Sequence, residues 1–179
     1  MSSNVPSTVW IITGGPGAGK SSVSRDLLSR FPFGIHVAID DLNELVVSGR
    51  AYPSMDHPPE AAWQFGLAHR AAAHHARLYA EAGFEVVIDD VLWPTSIHAL
   101  LADLDGLPTR VVLLAPNFDT ALVRNAARTN KTYDTATLIP LMEGVYPSIR
   151  PEEYRAQGWT VLDTSGLTLE ETVDALLAE

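Results

Sequence analysis

Cysteine is absent from the chain, which excludes disulfides and thiolate metal sites. Lysine is almost absent too: Lys20 and Lys131 are the only two. Lys and Arg total 12 against 22 Asp and Glu, a formal net charge of −10. So acidic a protein repels a phosphate backbone, and nucleic acid is not expected as its main partner. No apolar run approaches the roughly 20 residues that a membrane-spanning helix needs. The stretch from Met1 to Pro6 lacks the basic and apolar regions of a secretory signal, so a cytoplasmic location is the expectation.

What the chain does have is enough apolar material, 46% of 179 residues, to build one buried core. A single domain over residues 1–179 is expected. Short β-branched runs alternate with helix-compatible stretches, the pattern of a parallel α/β sheet covered on both faces. Strands are expected over 8–13, 35–39, 84–88, 110–114 and 159–162. Helices are expected over 20–30, 59–81, 95–103 and 119–128. A last helix follows the capping-box signature Thr168-Leu169-Glu170-Glu171. Two stretches interrupt the alternation, 48–58 and 129–151, and long loops in such domains tend to be functional.

The first strand runs into Gly14-Gly15-Pro16-Gly17-Ala18-Gly19-Lys20-Ser21, a match to G-x-x-x-x-G-K-[ST], followed by Ser22. Glycines let the backbone curve so that several N–H groups face one anion, and the next helix offers its positive end to the same charge. Lys20 suits the β- and γ-phosphates of a nucleotide, and Ser21 suits Mg²⁺. A dinucleotide-binding reading fits less well, because Lys20 stands where a third glycine belongs.

Two acidic pairs stand at strand ends. Asp40-Asp41 follows the second strand and Asp89-Asp90 the third, on the side where open α/β sheets bind ligands. Val86-Val87-Ile88-Asp89 has the form of a Walker B segment, with Asp89 directed to Mg²⁺. Asp40 suits the base that takes a proton from an attacking hydroxyl, with Asp41 as the alternative. Either member of each pair also suits a helix cap.

Arg124 and Arg128 lie four apart on one helical face, with Lys131 beyond them, and suit the charge that develops on a transferring phosphoryl group. The polar segment after them is expected to form a lid. Asn130-Lys131 is followed by Thr132-Tyr133, which rules out the guanine-reading N-K-x-D pattern. An acceptor pocket is expected from about residue 42 to 65, with Tyr52 and Trp63 in it and Trp93 near it. His69, His74 and His75 lack carboxylates at metal-ligand spacing and are read as core or surface residues.

These stretches together resemble the chloramphenicol phosphotransferase-like branch of the P-loop kinases. The residues that carry the likeness are 14–22, then Val37-Ala38-Ile39-Asp40-Asp41-Leu42, then Val87-Ile88-Asp89-Asp90-Val91, then Arg124, Arg128 and Lys131. Ala61-Ala62-Trp63-Gln64-Phe65 is also similar to tunicamycin-resistance-type P-loop proteins. The resemblance implies a three-layer fold with a five-stranded parallel sheet in the order 2-3-1-4-5. It implies ATP and Mg²⁺ as cofactors and makes Asp40 the base. It implies nucleotide contacts from Arg124 and Arg128, and from the Asp163-Thr164-Ser165-Gly166 loop through Ser165 and Gly166. Asp41, Asp90 and the aromatics fall on the acceptor side.

Three activities remain open on these grounds. One is a kinase for a small-molecule hydroxyl, an antibiotic among the candidates. A nucleoside or nucleotide kinase is the second, although only Arg50 and Arg70 are near to meet an acceptor phosphate. The third is an ATP-binding protein without turnover. A homodimer is neither required nor excluded.

Overall fold

A computed structural model of the chain describes residues 7–51, 58–127 and 135–178. Five strands form one sheet: β1 (Val9–Thr13), β2 (Gly34–Ala38), β3 (Glu85–Asp90), β4 (Thr109–Leu114) and β5 (Thr160–Leu162). They lie in the order β2-β3-β1-β4-β5, and every pairing is parallel. This is the expected order, with the phosphate-loop strand at the centre.

β1 shows why the centre is stable. All five of its residues are buried. Val9 and Ile11 enter the core on one face, while Trp10 and Ile12 enter the core on the other. Side chains alternate along a strand, so a run apolar at every position belongs in a sheet covered on both sides.

The helices that cover it are α1 (Lys20–Ser29), α2 (Ile39–Glu44), α3 (Pro59–Glu81), α4 (His98–Asp103), α5 (Phe118–Ala126), α6 (Ile139–Val145), α7 (Pro151–Ala156) and α8 (Leu169–Leu177). α1 and α8 share the face of Trp10 and Ile12, and α3 and α4 share the face of Val9 and Ile11. α3 packs through small residues: Ala61, Ala68, Ala72, Ala73, Ala76 and Ala80 are all buried. Its first residue is Pro59, favoured there because the missing N–H would have no helical partner. α8 carries the full capping box, with Thr168 and Glu171 each accepting from the other's backbone N–H. Such a cap contributes about 1 kcal/mol.

Several boundaries differ from the expectation. Asp89 and Asp90 are the last two residues of β3, not a loop beyond it, because their backbone continues the ladder with Ile12 and Thr13 of β1. Ile39 opens α2 where a strand residue was expected, so Asp40 and Asp41 lie in that helix's first turn. Ala38 occupies the N-cap with no side-chain cap, so neither aspartate stands at the N-cap position. α4 starts at His98, three residues later than expected from Thr95, after a turn in which Ser96 N–H donates to the Trp93 carbonyl. Within 129–151, the described part is a short 3-10 turn at Thr135–Leu138, α6, and a second 3-10 turn at Tyr146–Ser148.

Candidate active site

The phosphate loop leaves β1 at Gly14 and enters α1 at Lys20, with Gly19 at the N-cap in the left-handed region, φ 95°. Gly17 is the tightest point. Its φ is 81°, and a Cβ there would stand 2.4 Å from the backbone carbonyl oxygen of Ala121 in α5. Only glycine satisfies both the left-handed conformation and that approach. Gly14 is crowded from the other side, by the carbonyl of Leu114 at the end of β4. Loop and neighbouring strand ends therefore form one packed unit. Pro16 and Ala18 are buried with Gly14, Gly15 and Gly17 of this unit.

Lys20 folds back along the loop, its Nζ donating to Gly14 O at 2.9 Å and Gly15 O at 3.4 Å. Ser21, one residue on, donates through Oγ to Asp89 Oδ2 at 2.9 Å. Asp89 is 4% exposed. Burial pushes its carboxyl pKa up. The His36 imidazole, the charge of Lys20 and the Ser21 hydroxyl together more than offset this and hold it below the ordinary carboxylate value. His36 Nε2 lies 3.3 Å from Asp89 Oδ2, an electrostatic contact without the alignment of a linear hydrogen bond.

The Ser21–Asp89 pair brings one hydroxyl and one ionised carboxylate to the same point. That sparse oxygen set suits Mg²⁺, which keeps waters and substrate phosphates in its octahedral shell. Among the described residues no group of three or more His, Asp or Glu forms a metal cluster.

Asp40 and Asp41 are both exposed, in the first turn of α2 and beside the end of β3. Asp90 is engaged at both carboxylate oxygens. Oδ1 accepts from Val91 N–H at 2.7 Å, and Oδ2 lies 2.7 Å from His69 Nε2 in α3. Trp93 is half-buried in the following turn, whereas Trp63 is 64% exposed on α3. Ser22 is exposed at the start of α1. Tyr52, Arg128 and Lys131 lie outside the described residues.

Arg124 joins two loops. Its guanidinium donates to Thr164 Oγ1 at 3.0 Å, Thr164 O at 2.7 Å and Leu167 O at 3.2 Å. Ser165 Oγ accepts from Asn117 N–H at 2.8 Å, and Gly166 is exposed beside it. The turn before α5 and the loop before α8 are thus pinned together next to Gly17.

Three residues of this region carry no signal in the sequence. Tyr146 donates through its hydroxyl to Pro16 O at 3.1 Å. Its ring lies so close to Gly15 that a Cβ there would be 2.5 Å from Cε2. His36 reaches Asp89 because β2 and β3 pair with His36 beside Val87, a register that the sequence does not state. His69 reaches Asp90 across a sequence separation of 21 residues, beyond any local spacing rule. A cavity of about 500 Å³ lies beside the loop, with Leu114, Phe118, Glu143, Tyr146 and Ile149 in its wall. Among the described residues, none of those expected on the acceptor side lines it.

Comparison with known proteins agrees with this architecture. No curated protein matches the chain in sequence. Solved structures match over nearly the whole fold. The tunicamycin resistance protein of Deinococcus radiodurans is 20% identical, with 96% of this chain and 94% of that chain covered and a TM-score of 0.63. A sugar kinase from a Janibacter species is 17% identical, with 97% and 94% covered and a TM-score of 0.64. A gluconokinase from Sinorhizobium meliloti is 18% identical, with 97% and 90% covered and a TM-score of 0.66. At these identities the likeness carries the fold alone. The family model described as AAA domain matches residues 9–142, from β1 through the phosphate loop, both acidic strand ends and α5 into α6, and the chain belongs to that P-loop family.

Proposed function

We propose that this protein is an ATP-dependent phosphotransferase that moves the γ-phosphoryl group to a hydroxyl of a small molecule. The observation that carries the reading is the convergence of Lys20, Ser21 and Asp89 at the end of the sheet, with Ser21 Oγ 2.9 Å from Asp89 Oδ2. The loop amides and Lys20 bind the triphosphate, and binding draws the ammonium from the carbonyls of Gly14 and Gly15 to phosphate oxygens. Ser21 and Asp89 would hold Mg²⁺, which would supply neutralisation of the phosphate charge.

Asp40 takes the proton of the acceptor hydroxyl. It suits this task because it lies in the first turn of α2, at the strand end next to β3, and its side chain is exposed there. Arg124 orders the adenine-side loops through Thr164 and Leu167, and Arg128 supplies charge stabilisation. The segment from 125 to 150 acts as a lid that excludes water from the transfer.

The test is ADP release with Mg·ATP across a panel of metabolites and antibiotics. An alcohol-dependent rate supports the reading, and release that no acceptor stimulates removes it. Asp40→Asn is expected to lose about 100-fold to 10,000-fold in turnover while ATP still binds in calorimetry. Unchanged turnover in that variant takes Asp40 out of the mechanism and leaves Asp41 to be tried.

A further inference from the structure

The phosphate loop contains a turn of its own. Ala18 N–H donates to Gly15 O at 3.1 Å, and Gly17 has a φ of 81°. With Pro16 and Gly17 at its centre this is a type II turn, whose third residue must hold a positive φ. Pro16 fits a type I turn equally well, because both types take a φ of about −65° at the second position. The two forms differ in the direction of one peptide plane, that between Pro16 and Gly17. Glycine at the third position accepts either form. The local sequence therefore leaves this plane free to turn over, and the choice falls to contacts from outside the turn.

Tyr146 makes such a contact. Its hydroxyl, on the 3-10 turn after α6, donates to Pro16 O at 3.1 Å. The ring meets Phe118 edge-on at 5.3 Å, and it lies so close to Gly15 that a Cβ there would stand 2.5 Å from Cε2. Gly15 fills a position that the G-x-x-x-x-G-K-[ST] motif leaves open, and its φ is not left-handed, so it is the ring that leaves no room for a side chain. A trans peptide is planar, and its carbonyl and N–H point in opposite directions. With Pro16 O drawn to Tyr146, Gly17 N–H points away from that ring. Gly17 is buried, and its N–H meets no acceptor among the described residues. A buried donor is costly to leave unpaired, and this one belongs to a loop whose curvature suits an anion.

We propose that Tyr146 is a positioning residue for nucleotide binding: its hydroxyl sets the Pro16–Gly17 peptide so that Gly17 N–H faces a phosphate of the nucleotide. With the peptide turned over, the Pro16 carbonyl would face the phosphate, and repulsion would replace a hydrogen bond. The inference rests on the nucleotide-binding part of the reading above, and not on phosphoryl transfer.

Pro16-Gly17 is the only Pro-Gly pair in the sequence. Protein labelled with ¹³C at proline carbonyls and ¹⁵N at glycines therefore gives one carbonyl-edited amide signal, from this peptide. In the wild type the amide proton is expected to move downfield as Mg·ADP binds, and to stay in place with adenosine, which carries no phosphate. Tyr146→Phe keeps the ring and loses the hydroxyl. Its ligand-free signal is expected to broaden or double, and calorimetry to show Mg·ADP bound about 3-fold to 10-fold more weakly. Tyr154→Phe is the matched control, because it loses a phenol-to-carbonyl bond of 3.2 Å, to Leu92 O, outside the loop. It is expected to keep the wild-type affinity. A wild-type signal that ignores Mg·ADP, or moves as far with adenosine, overturns the role of Tyr146 and leaves nucleotide binding standing. So does an affinity unchanged in Tyr146→Phe, or lowered equally in both variants. The expected results without acceptor-stimulated ADP release remove the kinase reading and leave the inference. No uptake of Mg·ADP by the wild type overturns both.

Discussion

The hydroxyl of Tyr146 donates to the carbonyl of Pro16 over 3.1 Å, and 130 residues of chain separate the two. The ring that carries this hydroxyl covers Gly15 and meets Phe118 edge-on at 5.3 Å between centroids. A segment expected to be a lid is thereby fastened, at its far end, to the loop that it would cover. Removing the hydroxyl removes one hydrogen bond from the carbonyl of buried Pro16. Tyr146→Phe is expected to cost about 1 kcal/mol, or about 2–4 °C in a thermal melt. A melting temperature equal to that of the wild type would mean the contact carries no net stability.

Gly17 makes a harsher test. A side chain at this position meets the Ala121 carbonyl at 2.4 Å and must also hold φ at 81°. Neither a rotamer change nor a small shift relieves a clash between two backbones. Gly17→Ala is expected to destabilise by about 2 kcal/mol or more, with nucleotide affinity lost in the fraction that folds. Thermal melts with and without Mg·ATP measure both effects.

Alkaline stability should reflect two tyrosines. Burial raises the phenol pKa of Tyr146 to about 12, against a smaller lowering by Arg124. Burial likewise raises Tyr154 to about 12, with the charge of Glu153 adding to it. Both native groups hold their protons more tightly than the unfolded chain, whose tyrosines titrate near 10. Their contribution is complete below pH 10 and falls away as the pH rises through 12. Denaturant titrations at pH 9, 10.5 and 11.5 should show a steady loss that is smaller in Tyr146→Phe.

Asp89 has the opposite sign. Burial alone would raise its pKa, but His36, Lys20 and Ser21 bring it below the ordinary carboxylate value of 3.8. The native state therefore keeps the charge to lower pH than the unfolded chain does. Its contribution is present above 3.8 and is lost as the pH falls through the native value. Asp89→Asn should flatten the acid limb of the stability curve and weaken the Mg²⁺ dependence of ATP binding. An unchanged acid limb would separate Asp89 from acid stability.

Much of the fold was legible because its signals are local. The β-branched run of β1, the glycines before Lys20 and the Thr168–Glu171 box each act within a few residues. The end of β3 is not legible because two aspartates have the composition of a loop, whereas their backbone groups still pair with β1. α2 is not legible either, because a six-residue helix has too little periodicity to announce itself. At the site, Lys20, Ser21 and Asp89 were legible because a phosphate loop and an apolar strand with an acidic end have fixed chemistry. His36, His69 and Tyr146 were not, since each acts through a partner on another element.

The sequence alone determined the alternation of strands and helices, the anion-binding loop and the acidic strand ends, because backbone propensity and glycine conformation are properties of short segments. Tertiary structure decided which side chain meets which: Arg124 with the Thr164 loop, His69 with Asp90, Tyr146 with Pro16. Those pairings depend on strand order, register and helix direction. Packing of the whole chain sets these, and no single stretch encodes them.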